Sequence, residues 1–71
     1  MSHVVRNRLR KTRLVYKLTQ SQLASAVGVS KNAISSYENG EYLPSLIVAL
    51  RLCKLFACDI EWLFYLEGVQ Q

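Results

Sequence analysis

The sequence predicts an all-α domain of five short helices, the second and third meeting almost end to end. Three observations predict it. Capping residues at Thr19, Ser30, Ser45 and Asp59 each precede a run with helically spaced apolar residues. Gly28 stands between the second and third runs with no room for a loop. Pro44, the chain's one proline, stops anything helical behind it and separates the first three helices from the last two.

The first helix is expected from Asn7 to Tyr16, with Leu9, Thr12, Arg13 and Tyr16 on one face. Lys17-Leu18 then lead into the cap of the second. There the Thr19 hydroxyl can accept a backbone N–H, Gln22 can reach back to complete a capping box, and Leu18 can staple against Leu23. Leu23, Ala26 and Val27 form the apolar stripe of this helix, and Gly28 ends it in a left-handed conformation.

Val29 occupies the turn and Ser30 caps the third helix, with Val29 and Ile34 repeating the staple. Ala33, Ile34 and Tyr37 turn inward, while Lys31, Asn32, Ser35 and Ser36 face outward with no apolar residue among them. Two helices crossing steeply through so short a connection project the second outward. Its polar face is either merely solvated or available to read the base edges of a nucleic acid.

After the short loop Glu41-Tyr42-Leu43, Ser45 caps a fourth helix. From Leu46 to Phe56 the apolar residues nearly encircle it, which predicts that it is the buried helix. Asp59 caps a last short helix from Ile60 to about Phe64. Phe64-Tyr65-Leu66 and Val4-Val5 have strand-like composition and are expected to pair as a small antiparallel ribbon. Its apolar side, Phe64, Tyr65 and Leu66 together with Trp62, is the expected dimer interface; the alternative is that both ends fray.

The net charge of +4 conceals a segregation. Residues 1–37 carry seven cations (Arg6, Arg8, Arg10, Lys11, Arg13, Lys17, Lys31) and no acid, whereas residues 38–71 carry two cations against five acids. The half with the two-helix unit is thus the basic half, the electrostatic footprint of a duplex binder. An acidic membrane surface fits less well, because Leu9, Leu14, Val15 and Tyr16 build no broad lipid-facing stripe.

At 71 residues the chain is read as one domain, residues 1–71, close to the size where a single core is only marginally stabilising. No apolar run is long enough to span a bilayer, no signal peptide or anchor is read, and a cytoplasmic location is expected. Cys53 and Cys58 are five apart with one histidine in the chain, a spacing that fits neither a zinc site nor a redox pair. No phosphate loop, paired-carboxylate site or nucleophile with its base can be assembled. The expectation is a non-enzyme with no metal, cofactor or small-molecule ligand.

From about Leu9 to Phe64 the chain carries LTQSQLA, VGVS, I-x-x-YENG, LPSL, AL-x-L and D-I-E-W-L-F. Taken together these resemble the Cro/cI-type, or xenobiotic-response-element, helix-turn-helix repressors. The resemblance implies a five-helix lambda-repressor-like fold, with the motif at about residues 19–39 and its second helix in the major groove of double-stranded DNA. Ser30, Lys31, Asn32 and Ser36 would then read bases, Lys31 suited to guanine and Asn32 to adenine. Gln20, Asn39, Ser35 and Tyr42 would hold phosphates. Arg13 and Glu38 stand where the family commonly has an ion pair fastening the first helix to the end of the recognition helix. Thr12, Leu14 and Val15 depart from the family's usual residues.

The function so implied is a sequence-specific, homodimeric repressor that occludes a promoter at an inverted-repeat operator, with half-sites ~34 Å apart. Two alternatives stand beside it: an antitoxin that also regulates its own promoter, and a protein-interaction module that never meets DNA.

Overall fold

A computed structural model of the chain describes residues 4–67. In order, the elements are β1 (Val4–Asn7), α1 (Leu9–Val15), α2 (Gln20–Val27), α3 (Lys31–Glu38), α4 (Leu46–Phe56), α5 (Ile60–Leu63) and β2 (Phe64–Glu67). Each helix sends one fully buried aliphatic side chain to a common centre: Leu9, Leu23, Ile34, Leu52 and Leu63. Burying such a side chain stabilises by about 1.5–3 kcal/mol, so these five are the principal apolar contribution to folding. Ala24, Val27, Cys53 and Phe56 complete the core, and Leu18 and Val29 pack against it from the positions before the two caps.

The caps form as local chemistry dictates. Thr19 and Gln22 make the full capping box, the Ser30 hydroxyl accepts from the Ala33 N–H at 3.0 Å, and the Ser45 hydroxyl accepts from the Val48 N–H at 3.2 Å. Asp59 stands at the start of α5, but its side chain makes no capping bond. Gly28 adopts φ +78°, and the N–H groups of both Gly28 and Val29 donate to the Ala24 carbonyl. That left-handed residue reverses the chain within one position and sets α3 across α2.

β1 and β2 pair antiparallel, with Val4 opposite Glu67, Val5 opposite Leu66, Arg6 opposite Tyr65 and Asn7 opposite Phe64. Arg8 fastens the ribbon to the helices. Its guanidinium lies 4.3 Å from the Tyr65 ring centre and 5.2 Å from that of Trp62, and it donates to the Trp62 carbonyl.

Besides the absent Asp59 cap, several expectations are corrected. The first helix begins at Leu9, not Asn7, because Asn7 belongs to β1; its Oδ1 accepts the Leu9 N–H while its Nδ2 donates to the Tyr37 carbonyl. The last helix ends at Leu63, and Phe64 opens β2. Ala24 rather than Ala26 fills the buried stripe of α2.

The largest correction concerns α4. Only Ala49, Leu52, Cys53 and Phe56 are buried on it, whereas Leu46, Ile47 and Leu50 remain more than half exposed. The domain is too small to cover a second side of this helix. Thr12, where the family usually has a large aliphatic residue, is buried because its hydroxyl donates to the Arg8 carbonyl at 2.7 Å.

Candidate nucleic-acid interface

The site is built from a lock and the surface it holds in place. Arg13 on α1 donates twice to the Glu38 carboxylate at the end of α3, from Nε at 2.6 Å and from Nη2 at 3.3 Å. Its Nη1 donates to the Leu18 carbonyl, and the Gln20 amide at the start of α2 adds a bond of 3.1 Å to Glu38 Oε1. The two charged side chains are 9% and 2% exposed. A buried, bidentate pair with every polar atom partnered ties three helices together and fixes the angle at which α3 leaves the body.

On the surface so held, Lys31 and Asn32 are exposed at the first turn of α3, and Ser35 and Ser36 are half-buried along it. Ser30 is exposed, with its hydroxyl already accepting the capping bond. Asn39 is exposed at the end of α3, and Tyr42 stands out on the following loop at 70% exposure.

An open hollow of about 530 Å³ gathers Gln20, Lys31, Ser35 and Asn39 around the Arg13–Glu38 pair, together with Thr19, Ser21 and Arg10. Asn32, Ser36 and Tyr42 do not line it. Arg10 was not among the residues singled out from sequence, although its position one turn before Arg13 on the same helical face was a usable signal.

Of the residues expected at a dimer interface, Phe64, Tyr65 and Leu66 line an apolar hollow with Val5 and Ile60. An adjoining hollow shares Val5, Ile60 and Phe64 and continues over Leu43, Leu46 and Ala49. Trp62 lies elsewhere, lining a separate concavity with Thr12, Phe56 and Cys58. Both cysteines are free thiols, and burial pushes Cys53 up to about 11, helped by its neighbours Cys58 and Asp59. Among the described residues no helix is long and apolar enough to cross a membrane.

A helix-turn-helix family model matches residues 9–63, which span α1 to α5. The chain belongs to the Cro/cI-type helix-turn-helix family of DNA-binding transcriptional regulators. This is a family of regulators, not of enzymes. Its relatives include the uncharacterized HTH-type transcriptional regulator YgzD of Bacillus subtilis, 35% identical over 89% of this chain and 96% of that protein. A second, MJ0272 of Methanocaldococcus jannaschii, is 40% identical with the same coverage.

Among solved structures, the P22 c2 repressor in complex with a synthetic operator superposes with a TM-score of 0.73 at 37% identity, covering 76% of this chain and 82% of that one. The transcriptional regulator VanUg covers 94% of this chain and 89% of its own, with a TM-score of 0.75 at 28% identity. The restriction-modification controller C.AhdI of Aeromonas hydrophila gives 0.69, also at 28% identity, with 76% and 82% covered. Of these three, the match to VanUg extends furthest along the chain.

Proposed function

We propose that the protein is a homodimeric repressor that binds an inverted-repeat operator in double-stranded DNA and blocks a promoter by occupying it. The observation that carries this reading is the exposed polar first turn of α3, Lys31 and Asn32, on a helix held at a fixed angle by the Arg13–Glu38–Gln20 lock. Likeness to a repressor bound to its operator supports it. Lys31, Asn32, Ser30 and Ser36 read bases; Asn39, Ser35, Tyr42 and Gln20 hold the backbone, Gln20 doing so while anchored on Glu38.

One such helix reaches only a few base pairs, so a second copy doubles the site. The apolar ground running from Leu43 and Leu46 to Phe64 and Leu66 is the surface that copy covers. Trp62 and Tyr65, both packed against Arg8 and both partly exposed, contribute to the same interface. The protein works in the cytoplasm and needs no cofactor.

Footprinting on the DNA upstream of its own gene tests this. Two protected half-sites ~34 Å apart are expected. Asn32→Ala should blur base preference while Gln20→Ala weakens all sites alike; a single unpaired footprint, or equal loss of preference in both variants, contradicts the reading.

A further inference from the structure

We infer that Arg10 on α1 is a further contact to the DNA backbone, gripping a phosphodiester that also faces α2 and α3; this rests on the reading of the chain as a duplex binder. The hollow at the junction of these helices holds three cations, Arg10, Arg13 and Lys31, against one carboxylate, Glu38. Arg13 and Glu38 neutralise each other, and the remaining guanidinium donor of Arg13 goes to the Leu18 carbonyl. The Gln20 amide is drawn to the same carboxylate.

Two positive charges, Arg10 and Lys31, therefore stay uncompensated in a concave polar surface. Neither forms an ion pair among the described residues, whereas Arg6 and Arg13 both do. An exposed guanidinium whose fork matches a phosphate is the natural complement of a polyanion at this point. The consequence is that α1, outside the two-helix motif, also touches the duplex, and that the backbone is gripped from both walls of the hollow.

The test is fluorescence anisotropy of the full chain on a labelled mixed-sequence duplex across a range of salt, comparing wild type with Arg10→Gln, Arg10→Lys and Lys54→Gln. Arg10→Gln should make the plot of log K against log salt shallower by about 0.9 per protomer and weaken binding roughly five- to tenfold at low salt. Arg10→Lys, which keeps the charge, should retain the wild-type slope, and so should Lys54→Gln on the exposed side of α4. Thermal unfolding of Arg10→Gln should match wild type, because Arg10 is exposed.

A wild-type slope in Arg10→Gln overturns the role of Arg10 and leaves the duplex-binding reading standing. Salt-independent binding, or none, by the wild-type protein overturns that reading itself.

Discussion

From Lys17 to Glu41 no large apolar side chain is exposed, whereas from Tyr42 to Leu50 five are: Tyr42, Leu43, Leu46, Ile47 and Leu50. The first stretch contains α2 and α3 and turns a polar surface outward, with Arg10 of α1 and Lys31 on one hollow; the second opens α4 and turns aliphatic side chains outward. Charge and hydrogen-bond donors attract a partner that is itself charged and hydrated, and a bare aliphatic face is stabilised only by another apolar face. The molecule thus carries two surfaces of opposite character, one suited to a polyanion and one that, in the proposed dimer, a second copy covers.

The polar side depends on its lock. Glu38→Ala leaves the Arg13 guanidinium nearly buried without its carboxylate, and should cost about 3–5 kcal/mol in urea unfolding. A loss below about 1 kcal/mol, the range of a surface pair, would remove the lock from the account.

The apolar side should respond in the opposite way. Leu46→Ser, at a residue 67% exposed on that surface, should leave unfolding of the monomer nearly unchanged but remove about 1–2 kcal/mol of burial per protomer from association. The dimer dissociation constant from sedimentation equilibrium should weaken at least tenfold. If unfolding suffers and association does not, that face serves the fold rather than a partner.

Gly28 sets α3 across α2 within the polar side. Its φ of +78° disfavours any side chain, and an added Cβ would stand 3.4 Å from Nη1 of Arg51. Gly28→Ala should cost about 1–2 kcal/mol, read as a shift in the urea midpoint.

An effect confined to alkaline pH concerns Cys53 within the core. The folded thiol holds its proton up to about 11, against 9.0 for the free group, so native stability should be constant below pH 9 and fall as pH rises towards 11. Urea midpoints on either side of that window, with Cys53→Ala as the control lacking this fall, check the sign.

What was legible in the sequence was local. Thr19, Gln22, Ser30, Ser45 and Gly28 act within four residues of themselves, so their types and spacing foretell the caps and the turn. The start of α1 was not legible, because Asn7 is claimed by a strand partner 57 positions away, Phe64. Nor was the exposure of α4: an all-round apolar pattern is equally that of a buried helix and of one with an uncovered side. The choice of Ala24 over Ala26 depends on which flank of the Leu23–Val27 line faces the core, which periodicity leaves open. Arg13 and Glu38, 25 residues apart, were reachable through family resemblance and not through spacing.

The proposed function stands on α3 offering its first turn to the duplex. Its most direct measurement is a titration of the isotope-labelled protein with duplex DNA from upstream of its gene, followed by backbone amide shifts. The largest shifts are expected at Lys31, Asn32 and Ser36, with the outer face of α4 unmoved. Unshifted α3 amides, or shifts concentrated on α4 and the ribbon, would contradict it.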